Sequence, residues 1–227
     1  MTYIHDLDTS RPQRPRIPRT LDSVEVRVLG SLMEKQLATP EYYPLTLNAL
    51  VAAANQKSNR EPVMELSEQD IARALERLQD EKLVWKVMGG RAVRYDHNLD
   101  TVWHLNRSEK ALLTLLFLRG PQTAGELRGR SDRLQQFDSI AQVEETLREM
   151  TAHSEPLVRQ LPRRPGQKEE RWATTVAGEI VESAVTDTPA AAHASSGEPL
   201  SARVAKLETR VEDLERLLAE LRAKLGE

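Results

Sequence analysis

Four side chains between residues 96 and 104, namely Asp96, His97, Asp100 and His104, are of types that could ligate a divalent metal. Ligation would need a helix or tight loop to converge them on one point. The surrounding pattern reads instead as a strand end followed by a loop, so no metal site is expected. The chain contains no cysteine, which removes disulfides, thiolate nucleophiles and cysteine-ligated zinc. It also lacks a glycine-rich phosphate loop, an HExxH helix and a nucleophile elbow. A non-enzymatic protein without a cofactor is the expectation.

Cations offer the other chemistry. Residues 82–94 carry Lys82, Lys86, Arg91 and Arg94 with no acid among them. Residues 157–171 carry Arg159, Arg163, Arg164, Lys168 and Arg171 against Glu169 and Glu170. Together with Lys57, Arg60 and the N-terminal Arg11, Arg14, Arg16 and Arg19, such clusters could hold the phosphates of a DNA duplex. The alternative is plain solvated hairpin surface. A formal net charge of -3 argues against a globally basic protein, so any contact with nucleic acid must come from local patches. The run Asn55-Gln56-Lys57-Ser58-Asn59-Arg60 is more polar than a simple connection requires. It is either a functional loop or a set of asparagines that cap helices and occupy left-handed turns.

The elements that would position these groups follow from periodicity. Leu21, Val24, Val28, Leu32 and Leu37 recur at helical spacing up to Ala38, and Thr39-Pro40 stops the helix. A short helix opened by Pro44 and Thr46 carries Leu47, Leu50, Val51 and Ala54; Pro62-Val63-Met64 reads as a short strand. Ser67, with Asp70 three residues on, caps a helix that buries Ile71, Ala74, Leu75 and Leu78. Two β-prone runs around Gly89-Gly90 then form a hairpin. That succession is the order of a winged helix, and it recurs. Ser108–Leu118 is an apolar helix ended by Gly120-Pro121, Thr123 caps a short helix, and Asp138 or Ser139 starts a third with Ile140, Val143, Leu147 and Met150. Leu157–Leu161 and Arg171–Thr174 flank a second polar turn. The third helices match at one offset of 69 residues, Ile71 on Ile140 and Leu78 on Leu147. Trp85, Trp103 and Trp172 are expected to fill the cores.

The predicted class is mainly α with small β-hairpins (α+β). Its parts are an arm over 1–20, winged-helix domains over 21–105 and 106–180, a linker over 181–199 and a coiled coil over 200–227. The linker is rich in Ala, Ser, Thr and Pro. In the last segment Val204, Val211, Leu218 and Leu225 occupy a, and Leu200, Leu207, Leu214 and Leu221 occupy d, without a polar core position. Valine at a with leucine at d favours two strands. Parallel pairing sets Arg203 against Glu208 and Arg210 against Glu215, so a parallel homodimer is expected; the alternative is a helix folded back on its own domains. With neither a signal peptide nor an apolar run of ~20 residues, a cytoplasmic protein without membrane contact is expected.

Asn55–Met64 resembles the bacterial YceH-like family. Val28–Lys35, Thr39–Leu45 and Gly90–His97 are similar to the same family, and the likeness spans roughly residues 20 to 175 without the N-terminal arm. The resemblance implies tandem winged-helix domains and carries no assigned activity.

Charge complicates the usual winged-helix role, in which the third helix enters the major groove. Ser67–Glu81 sets Glu68, Asp70, Glu76, Asp80 and Glu81 against Arg73 and Arg77; Ser139–Ala152 sets Glu144, Glu145 and Glu149 against Arg148. Phosphates repel such helices. Two functions therefore stand open. One is a dimeric, regulator-like protein that holds the backbone of double-stranded DNA through basic wings. The other is a scaffold that docks protein partners around Glu76, Glu145 or the coiled coil.

Overall fold

The computed structural model describes residues 19–88, 92–163 and 169–177. Residues 1–18 of the 1–20 arm, the 181–199 linker and the heptad segment with Val204, Leu207, Val211, Leu214, Leu218, Leu221 and Leu225 lie outside these residues, as do Arg91, Arg164 and Lys168. Within them the protein is α+β, with seven α-helices and two small antiparallel sheets.

Helix α1 (Ser23–Ala38) starts at a capping box in which Asp22 accepts from the Val24 and Glu25 amides while Glu25 reaches back to the Asp22 amide. A strand β1 (Leu45–Thr46) leads into α2 (Leu47–Ala54), which is capped by Thr46. Helix α3 (Glu68–Asp80) begins at the Ser67–Asp70 box and buries Ile71, Ala74, Leu75 and Leu78. Strands β2 (Val84–Met88) and β3 (Val93–His97) form the hairpin, with Lys86 opposite Tyr95 and Val87 opposite Arg94. The sheet order β1-β3-β2 leaves β2 at an edge.

The short strand is therefore at 45–46, ahead of the second helix, and not at 62–64. Pro62 has no N–H for a ladder and Val63 is exposed, whereas Leu45 is buried and pairs with Tyr95. Residues 98–104, expected as loop, contain the helix α4 (Leu99–Trp103), whose Leu99 and Trp103 are both buried.

The second half repeats the succession with α5 (Arg107–Arg119), α6 (Ala124–Ser131), α7 (Ile140–Thr151), β4 (Val158–Leu161) and β5 (Arg171–Thr174). Even the short strand has a counterpart: Gln122 bridges Trp172 just before α6, as β1 pairs with β3 just before α2. Ile140 departs from the repeat, standing exposed where Ile71 is buried.

The two halves share one hydrophobic core. Its centre is the pair α1 and α5, each the first helix of its half, and each buried on nearly all sides. Gly30 makes their approach possible, because a Cβ there would stand 2.9 Å from Leu118 Cδ2 and from Phe117 Cβ. The ends meet as well: the Leu21 amide donates to the Val176 carbonyl at 2.9 Å, and Leu21 bridges Ala177 in parallel. No helix among the described residues is long and apolar enough to cross a membrane.

Candidate functional site

The 55–60 loop is folded around two arginines. Helix α1 presents Arg27 and Glu34, seven residues apart and hence on one face. Arg27 is buried and donates to the carbonyls of Ala54 at 3.1 Å and Pro62 at 2.6 Å. Burial first, and then the nearby Arg60 cation, pull its guanidinium down to about 10. Arg60 donates to both Glu34 oxygens, at 2.5 and 3.0 Å, and to the Ala53 and Asn59 carbonyls and the Gln56 amide oxygen. Its side chain has 0% exposure. Arg60 was expected to face nucleic acid; it cannot, since its hydrogen-bonding capacity is spent inside the protein. Asn55 clasps Leu66 through both its amide oxygen and nitrogen, and Asn59 adopts φ +59°. Both asparagines thus do turn and capping work, while Lys57 and Ser58 remain exposed at the tip. The loop also ties the halves together, through the Glu61 amide on the Leu118 carbonyl and Arg119 on Asn59 Oδ1 at 3.0 Å.

The hairpins carry the remaining candidates. Lys86 is exposed on β2. Arg94 is half-buried and one arm of its guanidinium is held by the Pro44 carbonyl at 2.7 Å. Arg163 is exposed and sits 3.4 Å from Glu170. The acid on the first hairpin, Asp96, accepts from Tyr43 Oη at 2.6 Å. Burial and this bond push the Tyr43 phenol well above its ordinary range, so the hydroxyl stays protonated and donating. Trp85 is not in the core. It is 46% exposed on the edge strand, in company with Val87, Met88 and Val93, because only Val84 of β2 and His97 of β3 reach the interior. Trp103 and Trp172 are buried as expected.

The third helices keep their acidic faces. Glu68, Glu76 and Asp80 of α3 are exposed, while Arg77 is drawn back onto Asp22 at 2.6 Å and Glu25 at 2.7 Å. Glu145 and Glu149 are exposed on α7, and Arg148 pairs with Glu144. Around the α1 cap, Glu25 is fully buried and accepts from Arg19, Arg77 and the Asp22 amide. Burial by itself would raise its carboxyl, but these bonds hold it at about 2.

His97 is buried with both ring nitrogens in use. Nδ1 accepts from the Leu99 amide, which leaves Nε2–H to donate to Gln36 Oε1 at 2.9 Å. Burial lowers it to about 4, with Asp100 opposing and Lys110 assisting, so it is neutral at neutral pH. Lys110 of α5 joins the same Gln36 oxygen and Asp100, each at 2.7 Å. These residues form a polar joint between the halves, and among the described residues no group of three His, Asp or Glu converges as a metal site. Leu99 and Trp103, four residues apart and both buried, are the sequence signal of the helix that carries Asp100 into this joint.

A repeated unit of three helices and a hairpin, fused through its first helices, defines the class of protein. The family described as "Protein of unknown function, DUF480" matches residues 21–167, which takes in all seven helices. A UPF0502 protein of Delftia acidovorans is 46% identical over 218 residues, covering 93% of this chain and 96% of its own. One from Geobacter metallireducens is 53% identical over 159 residues, covering 70% of this chain and 73% of its own. The chain belongs to this family, the YceH-like proteins.

Proposed function

We propose that the two halves are winged-helix modules of a non-enzymatic, DNA-associated protein that holds the duplex backbone through its hairpins and pairs as a homodimer through residues 200–227. The supporting observation is the first hairpin. It projects Lys86 from an edge strand, Asp96 is occupied by Tyr43, and the exposed face of α3 is acidic. Backbone contact without groove reading is what such a charge distribution favours. Binding to unselected duplex measured against salt tests it. Lys86→Glu combined with Arg91→Glu should abolish a shift seen at low salt, and the unmodified protein should lose affinity steeply as salt rises. Absence of any shift at low salt overturns the reading.

One observation favours a second reading, a protein-docking scaffold. Exposed apolar side chains stand on both faces of the same hairpin, Trp85 and Val87 on one and Met88, at 82% exposure, with its cross-strand partner Val93 on the other. Under that reading Trp85→Ser should release protein partners from the chain, and duplex binding should be absent.

A further inference from the structure

We propose that the cleft between the 55–60 loop and the α5–α6 face binds a small phosphate-bearing molecule with an apolar body. The cleft has a volume of about 700 Å³, within the range of roughly 300–1,000 Å³ typical of small-molecule sites. Lys35, Lys57, Arg119, Arg130 and Arg133 line it, against the acids Glu34 and Asp132. Glu34 is already committed to Arg60, so the local balance is strongly positive. The ion pairs reaching the cleft are Glu34 with Arg60 and Lys35, and Glu126 with Arg130. Lys57, Arg119 and Arg133 stand outside any ion pair among the described residues.

Arg119 is the most telling of these. Its Nη1 donates to Asn59, but its Nε is buried without a partner. Burial, and then repulsion from Arg130, weaken its hold on its proton. An anion seated between Arg119, Arg130 and Arg133 offsets the repulsion among these cations, and guanidinium forks suit phosphate oxygens. Gln56, Ser58 and Asn59 supply neutral hydrogen-bonding groups, and Leu115, Leu118 and Leu134 supply an apolar wall. Gly129 of α6 also lines the cleft. It is a poor helix former inside α6, no positive φ requires it there, and a Cβ added to it would meet nothing within 4 Å. None of the hairpin cations lines this cleft; of the cations named for the duplex, only Lys57 does.

The test is calorimetric titration of the full chain with pyrophosphate, adenosine 5′-monophosphate and adenosine, alongside duplex binding. The two phosphates should bind saturably and adenosine should not. Arg133→Gln and Lys57→Gln alter exposed side chains and leave folding intact; each should weaken the phosphates about tenfold, the scale of a lost charge-assisted hydrogen bond. Gly129→Trp, checked for native circular dichroism, should block them while leaving duplex binding unchanged. The proposal is overturned if neither phosphate binds at concentrations up to about 10 mM, or if Arg133→Gln and Lys57→Gln leave their affinity unaltered. Loss of duplex binding in Gly129→Trp with no phosphate binding would also overturn it and assign the cleft to a DNA strand.

Discussion

Glu25 shows how much a single side chain can couple. It closes the α1 capping box, receives Arg19 from the chain before the helix, and receives Arg77 from α3. Its carboxyl titrates at about 2 in the folded protein and near 4.3 in an unfolded chain. The stabilisation is therefore complete above that unfolded value and disappears as pH falls toward 2. Glu25→Gln should lower unfolding stability by roughly 2 kcal/mol at neutral pH, with the deficit shrinking below pH ~4.3; urea unfolding at a series of pH values measures it. A deficit that persists unchanged to low pH would mean packing, not charge, is what Glu25 supplies. His97 adds an earlier acid-sensitive window. Its stabilisation is present above the ordinary imidazole value of ~6.5 and is lost as pH falls through about 4.

Among the elements, α1 and α5 carry the fold. Most residues of both helices are buried, and the two helices approach at Gly30 without room for a side chain. Gly30→Ala improves helix propensity but forces a methyl against Leu118 and Phe117. The steric cost should win, with a net loss of about 1–3 kcal/mol, visible as a lowered thermal midpoint. An unchanged or raised midpoint would show that α5 can yield at the contact. Capping residues made most helices legible in advance: Ser67 and Thr123 start α3 and α6, and Gly120 stops α5 with φ +70°. The short strand at 45–46 was not legible, because two residues carry no period and its pairing with Tyr95 is a long-range event.

At the scale of the whole molecule, the Leu21–Val176 hydrogen bond brings the start and end of the described chain side by side. The proposed homodimer rests on the heptads of residues 200–227. Deleting residues 200–227 should convert a dimer to a monomer by light scattering while leaving the thermal midpoint of the core nearly unchanged. A dimer that survives the deletion would place the interface on the cores themselves.

Local rules sufficed for most of the helices, the strand pairs flanking the two polar turns and the family, since capping, periodicity and motif spacing are all short-range properties of the chain; the helix α4 (Leu99–Trp103), expected as loop, was missed. Ser67 and Asp70, or Ile71 and Ile140, can be read without coordinates. What only tertiary structure decided was the state of each polar group. Arg60 and Lys57 lie in one loop, yet one is sealed by Glu34 from α1 and the other is exposed. Trp85 and Trp103 read alike as core residues, yet a sheet edge exposes the first and the core encloses the second. Composition states which charges and rings exist; burial and pairing, set by residues distant in sequence, determine which of them can meet a ligand.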